Sequence, residues 1–478
     1  MEKKEIVILN LAALGLWLTA FIQWLSLPFS LTPIPDSDTA LYWYLSKVIA
    51  KKGIFFGNVP IFFSTYYAYL YYGFSLVGNP ILTATVFNGL LYLLSLTTFT
   101  LLLKELFGRK AALAGGVLFL LTKPLLFYAI VPIKAMVVFF LFTLFIFLLI
   151  KEKITFAGMS GGLLFNIEGI FLPLFLIYAM NFLVQKKIKQ LFLLIGGFLI
   201  VLLPAVGVNY KKSSTLSLSS PTSGIHFYIG NQKGATGVYR EVWGIRPNAF
   251  GHYYDAKRKA EIETGRRLTD KEVNEFWWKK GIKRIFESPV SWIELYLRKL
   301  LLFFNSYEIP NNYNLNLIGK KVWILGLLPV NFAVALAIGV FGYTTAIFYR
   351  ERKNILDITF LFYPLILSLF FITSRYRLIY YLPLLAYGAV ALKHFYEVCC
   401  FRREVFKKAV IGATLAFSLS NFPLAENVRA GYDRVFRWKT NATVKLRKAL
   451  KEKNLREIRR IFRRARMEEI NTLFRKKY

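Results

Sequence analysis

Two aspartates stand one residue apart in PIPDSDTA (33–40), Asp36 and Asp38, in a chain that carries 62 Lys and Arg against 27 Asp and Glu. An ionised carboxylate near neutral pH serves as a general base. In an extended loop, D-x-D sends both side chains to one side, a spacing that suits a divalent cation held by Asp36 and Asp38. The same residues follow Pro35 where a helix should begin, so capping of free N–H groups alone also accounts for them. Arg375 and Arg377 occupy the four-residue turn SRYR (374–377). Two planar guanidiniums suit bidentate contact with a phosphate, or anchor the end of a helix. Lys134, in a tight turn between apolar runs, either snorkels or meets an anionic headgroup. Glu168 lies inside the apolar stretch 154–184. A charge at the centre of a bilayer costs about 2.5–3.5 kcal/mol, so a break that brings this residue to the outer face is expected in GGLLFNIEG (161–169).

Other chemistry is set aside. GMSGG (158–162) matches the nucleophile elbow of hydrolases formally, but it opens an apolar segment and the chain has only 3 histidines. Gly158 and Gly162 read as small residues that let helices approach. No Walker A, GxGxxG, HExxH or CxxC pair occurs, so nothing points to a nucleotide or redox cofactor. Cys399 and Cys400 are adjacent and imply neither a disulfide framework nor a zinc site.

These residues need elements to position them. Of the 478 residues, 56% are hydrophobic, and the mean hydropathy is +0.45. Apolar runs of about 20 residues recur, as helices that cross hydrocarbon require. The expected fold is an all-α polytopic membrane protein of about eleven transmembrane helices. Spans are expected at 6–27, 81–103, 111–130, 131–150, within 154–184 as two shorter helices, and at 191–208, 321–348, 355–373, 378–393 and 408–424. The first is too long for a signal-peptide core and is kept as an anchor. Two helices, about 38–52 and 59–79, are expected to lie on the outer surface, the first amphipathic and the second rich in tyrosine.

The division is an N-terminal transmembrane core (1–209) with an acidic first outer loop (28–80), a polar extracytoplasmic loop domain (210–290), C-terminal transmembrane helices (291–424) and a basic helical tail (425–478). Basic turns at 104–110, 151–153, 185–190 and 349–353 put those loops in the cytoplasm and Asp38 outside. The tail is ambiguous: the span count places it outside, its charge inside, and the count is followed. A net charge of +35 suits anionic membrane lipids. Nucleic acid is set aside, because much of the charge flanks apolar spans.

Several blocks, in order, resemble the glycosyltransferase C superfamily, in particular bacterial enzymes similar to the protein O-mannosyltransferases and aminoarabinose transferases. They are DTALYW (38–43) with IAKKG (49–53), YYAYLYYGFSLVG (66–78), HFYIGNQKGATGVY (226–239) with GRRLTDKEVNEFWW (265–278), PVSWIELYLRKLLLFFNSYEIPNN (289–312) and SRYRLIYYLP (374–383). The resemblance implies an integral enzyme of the cytoplasmic (inner) membrane with its active site on the extracytoplasmic face. Such an enzyme moves a sugar from a polyprenyl-phosphate carrier to an acceptor lipid, glycan or protein. It implies Asp38 as the acidic first-loop residue with Asp36 beside it, and Arg375, Arg377 and Lys134 as residues facing the phosphate. Tyr66, Tyr67 and Glu308, inside these blocks, complete the candidate substrate-binding set. The chain departs from the family at Thr65, at Asn166–Ile167–Glu168 and at Val208. Transfer of a whole lipid-linked glycan, and transport or flipping of a lipid-linked substrate, are the alternatives. A transporter would favour broken helices in both halves, and only one break is readable.

Overall fold

The computed structural model describes residues 2–57, 59–213, 222–424 and 426–452. Ile458, Ile461, Phe462 and Ala465 of the expected tail, and the side chains of Leu446 and Leu450, lie outside the described residues. Regular structure among the described residues is helical, with two isolated β-bridges, Thr122 to Val330 and Val238 to Ile372. Among them, Lys3–Leu25, Pro80–Phe107, Ile188–Lys211 and Ser374–Phe401 are long and apolar enough to cross a membrane. Ala135–Ile150, Ile154–Ile167, Gly169–Val184, Phe332–Phe348 and Asn354–Leu367 are shorter apolar helices. Ile22, Leu90, Phe192, Leu203 and Phe395 on these helices are more than half exposed. Such long apolar helices with uncovered apolar faces mark a membrane protein.

Close packing falls where glycine permits it. A Cβ on Gly158 would lie 2.1 Å from the Leu194 carbonyl oxygen, and one on Gly197 2.0 Å from that of Thr155, so Ile154–Ile167 and Ile188–Ser213 touch backbone to backbone. Ser160, the serine of the elbow-like motif, is buried and donates to the Leu141 carbonyl at 2.8 Å. GMSGG is thus a packing seam.

Two expected spans are interrupted. The run 111–130 divides into Arg109–Leu120 and Lys123–Ile130. Pro124 cannot donate to the preceding turn, and the chain instead pairs with 329–331, Lys123 N donating to Val330 O at 3.0 Å and Val330 N to Leu121 O at 3.1 Å. The run 321–348 divides into Trp323–Leu327 and Phe332–Phe348, the latter restarted by Asn331, whose side chain accepts from Val334 N. The stretch 154–184 breaks at Glu168, followed by a short 3₁₀ turn, Gly169–Phe171.

The helix Asp38–Lys52 buries Leu41, Leu45, Val48 and Ile49 and exposes Lys47, Lys51 and Lys52. The tyrosine-rich helix runs Thr65–Val77, capped by Ser64. The segment 222–290 is more ordered than a loop. Helices Ser223–Asn231, Ala256–Thr264 and Asp270–Glu287 enclose a small core of its own around Ile225, Ile229, Val273 and Trp277. A capping box closes the last of these, with Thr269 N donating to Glu272 Oε2 at 2.8 Å and Glu272 N to Thr269 Oγ1 at 3.3 Å.

The tail forms helix Glu426–Lys451. Its Phe436 ring meets Phe29 edge-on at 6.3 Å, Asn314 donates to its Asp433 at 2.8 Å, and its Tyr432 reaches the Tyr239 carbonyl. The tail therefore shares the face of the first loop.

Candidate functional site

Asp38 is the first residue of its helix and is not its cap. Ser37 caps it, its hydroxyl accepting from Ala40 N at 3.3 Å. The Asp38 carboxylate is left free for tertiary work and forms an ion pair with Arg375. The Asp38 N–H donates to Asn312 Oδ1 at 3.3 Å. Burial works to raise the Asp38 pKa, but the Arg375 guanidinium and then the Lys134 ammonium outweigh it, so the carboxyl sits below its ordinary value.

Arg375 is brought there by the short helical turn Ser374–Arg377, pinned where Ser374 N donates to Ile309 O at 2.9 Å. One guanidinium nitrogen donates to the Tyr376 hydroxyl at 3.0 Å, and the Arg375 Nε is buried with no hydrogen-bond partner. A phosphate oxygen or a water would satisfy that donor. Lys134 begins helix Ala135–Ile150, and Glu168 ends Ile154–Ile167. The Lys134 ammonium donates to the Ile167 carbonyl at 2.6 Å and pairs with Glu168 at 3.4 Å. Lys134, Glu168, Arg375, Tyr363 and Tyr376 line one cavity of about 10 Å³, space for a single water. A phosphate enters only if the ion pairs separate.

The other candidates go elsewhere. Asp36 does not share a ligand position with Asp38. Its backbone is left-handed, at φ 59°, and its carboxylate accepts from Asn248 Nδ2 at 2.8 Å. Among the described residues no three or more His, Cys, Asp or Glu converge to hold a metal. Asp36 and Asp38 each have a separate partner, Asn248 and Arg375.

Arg377 does not face the cavity with Arg375. It is buried, pairs with Glu308 at 3.0 Å, donates to the Phe303 carbonyl at 3.0 Å and lies 3.9 Å from the Phe332 ring centre. Glu308 also accepts from Tyr381 at 3.3 Å. This pair clamps 303–308 to the turn at 374–381. Tyr67 is buried edge-on to Tyr42 at 4.6 Å, and Tyr42 in turn accepts from Ser64 N at 3.3 Å, joining Asp38–Lys52 to Thr65–Val77. Tyr66 holds the Val201 carbonyl through its hydroxyl and Asn166 through its N–H. Neither Tyr66 nor Tyr67 lines the cavity.

Residues that sequence reasoning did not single out stand nearby. Tyr363 and Tyr376 line the cavity, and the Tyr363 hydroxyl donates to the Tyr376 carbonyl. Close by, His226 Nε2 lies 3.2 Å from His252 Nδ1, and His252 Nε2 lies 2.9 Å from the Tyr239 hydroxyl. Burial first, then the Arg375 charge, pushes the His226 pKa down to about 4; burial, then His226, pushes His252 down to about 3. Both rings are neutral at pH 7. The available signal was the block HFYIGN, which opens with His226. No family model matches the chain, and no match is found among curated proteins.

Proposed function

We propose that this chain is an integral membrane glycosyltransferase that moves a sugar from a polyprenyl-phosphate carrier to a hydroxyl acceptor, as the glycosyltransferase C resemblance suggests. The observation that carries it is the pairing of Asp38 with Arg375, beside Lys134 and Glu168, at the ends of apolar helices. Ile154–Ile167 has 14 residues and Ala135–Ile150 has 16. At 1.5 Å per residue they span about 21 and 24 Å, short of about 30 Å of hydrocarbon. Glu168 and Lys134 are then recessed below the surface, at a depth that a lipid-linked phosphate reaches.

In this reading Lys3–Leu25, Pro80–Phe107, the interrupted 109–130, Ala135–Ile150, Ile154–Ile167, Leu172–Val184, Ile188–Ser213, Phe332–Phe348, Asn354–Leu367, Tyr381–Phe401 and Arg403–Ser420 make eleven crossings. The odd number agrees with a tail on the face opposite Lys3. In the same reading loop charge favours Asp38 and 222–290 on the extracytoplasmic face of the cytoplasmic membrane, and the span count, with the tail's contacts to Phe29 and Asn314, favours that face for the tail against its own charge.

The carrier phosphate takes Arg375 from Asp38 and is held by Arg375 and Lys134. The freed Asp38 accepts the proton of the acceptor hydroxyl, whose oxygen bonds to the anomeric carbon. The bond from that carbon to the phosphate oxygen breaks, and polyprenyl phosphate leaves with its charge stabilised by the two cations. The sugar and the acceptor are unassigned.

The test is the purified full chain in proteoliposomes, supplied with a polyprenyl-phosphate sugar labelled in the sugar, with release of polyprenyl phosphate measured. Asp38→Asn should lower release by about 10²–10⁴-fold, the usual worth of a general base, without loss of folding. Undiminished release by Asp38→Asn removes Asp38 from the chemistry. Movement of intact labelled lipid across the bilayer without cleavage overturns transfer in favour of transport.

A further inference from the structure

The tail helix Glu426–Lys451 is two-sided. Phe436, Thr440 and Thr443 are buried, at i, i+4 and i+7, on the side that packs against the first loop. Arg434, Arg437, Lys445 and Lys448 are exposed and, with Asn441, follow spacings of three and four on the opposite side. A stripe at that spacing occupies one face of a helix. Val435 and Val444, beside the stripe, are also exposed. The buried face is fixed by the Asn314–Asp433 hydrogen bond and the Phe29–Phe436 contact, so the cations are presented in a set direction. The helix begins a few residues after Arg403–Ser420, whose Ile411, Leu415 and Phe417 are uncovered apolar residues. A chain leaving such a helix emerges at the membrane surface, and the tail has no slack to move far from it.

We infer that this basic stripe docks anionic phosphate headgroups of the leaflet on the Asp38 face. The charge is complementary, the exposed valines suit the headgroup boundary, and the span before it sets the depth. The consequence is positional: the helix braces Phe29 and Asn314 against the bilayer, and Asn312, two residues away, contacts the backbone of Asp38. The inference rests on Arg403–Ser420 being a crossing and not on the transfer chemistry.

The experiment uses the full chain with Cys399 and Cys400 changed to Ser and Asn441→Cys carrying an environment-sensitive fluorophore. It is placed in nanodiscs of phosphatidylcholine alone or with one-third phosphatidylglycerol. The emission should shift to the blue with phosphatidylglycerol, and the shift should vanish in about 1 M salt, where the screening length is about 3 Å. Each near-surface cation is worth about fivefold in local anionic-lipid enrichment. Changing Arg434, Arg437, Lys445 and Lys448 together to Gln should therefore abolish the shift and leave the melting temperature in neutral discs unchanged. Equal emission in both discs overturns the inference, as does a shift retained by the quadruple variant. A shift produced only by a soluble acidic polysaccharide overturns it in favour of a polymer partner. Loss of sugar transfer with the lipid response intact would count against the transferase reading alone.

Discussion

Arg375 and Arg377 are two residues apart, and the structure gives them opposite tasks, so single substitutions should separate stability from activity. Arg377 is 1% exposed and its partner Glu308 6%. Arg377→Gln leaves Glu308 buried without its cation and strips a donor from the Phe303 carbonyl. Removing one member of a buried pair costs about 3–5 kcal/mol. Asp38, the partner of Arg375, is 26% exposed. Asp38 keeps more contact with water than Glu308, so Arg375→Gln should cost less stability than Arg377→Gln.

The assay is thermal unfolding in one detergent for each variant, together with turnover per folded molecule. Arg377→Gln should melt far below the parent and, where folded, keep much of its turnover. Arg375→Gln should melt above Arg377→Gln and lose turnover. A third variant, Glu308→Leu with Arg377→Met, removes both charges and should recover part of the lost stability, because an apolar replacement of a buried pair is often close to neutral. If Arg377→Gln melts with the parent, the clamp between 303–308 and 374–381 is not a stabilising unit. If the double variant is no better than the single one, the cost comes from the lost carbonyl contacts rather than the stranded carboxylate.

Three more expectations follow from named contacts. The depressed pKa values of His226 and His252, about 4 and 3, mean that the fold holds both rings neutral, while the unfolded chain takes up protons below its ordinary value of about 6.5. Their contribution is therefore complete above about pH 6.5 and is lost as the pH falls toward 4; melting temperatures should decline across that window, and less steeply for His226→Gln with His252→Gln. Gly197→Ala puts a methyl 2.0 Å from the Thr155 carbonyl oxygen and should cost about 1–3 kcal/mol by overpacking, whereas Gly207, with nothing within 4 Å, should accept Ala with unchanged or slightly higher stability in the same melts. With native cysteines removed, single cysteines at positions 51, 248 and 441 should react together with an impermeant maleimide in sealed, oriented vesicles, and those at 105, 186 and 350 only after permeabilisation; mixed behaviour within either set breaks the eleven-crossing topology.

Much of the architecture was legible because it depends on local pattern. The amphipathic spacing of Leu41, Leu45, Val48 and Ile49 located Asp38–Lys52, and the cost of a carboxylate in hydrocarbon located the break at Glu168. Gly158 and Gly162 were readable as a packing seam for the same reason. Two pairs of residues two apart in sequence do not stay together in the structure. Asp36 with Asp38 reads as a pair in an extended loop, where i and i+2 point the same way, and Arg375 with Arg377 from their place in one short turn. The turn Ser374–Arg377 is helical, where i and i+2 do not face each other, and Asp36 sits at φ 59°. Each pair is therefore split. The pairings that replaced them, Asp38 with Arg375 and Arg377 with Glu308, join residues far apart in sequence, and no period in the chain announces them.

The split also bears on how Asp38 would act as a base. Paired with Arg375, and with Lys134 nearby, its carboxyl lies below its ordinary pKa and holds a proton poorly. A phosphate that draws Arg375 away would weaken that attraction and strengthen the base at the moment the donor arrives, so the base is quiet until the leaving group is in place. The sign is testable. Removing the cation by Arg375→Gln should raise the Asp38 pKa, because burial would then act against less opposing charge. In the pH dependence of residual turnover, the acid limb should therefore move to higher pH in Arg375→Gln. Glu168 is the carboxylate that lines the cavity itself, and it is paired with Lys134. If Glu168 is the base, Glu168→Gln should take the loss of about 10²–10⁴-fold while Asp38→Asn keeps most of the turnover. That outcome would refute Asp38 as the proton acceptor and leave the Asp38–Arg375 pair as a gate on the cavity.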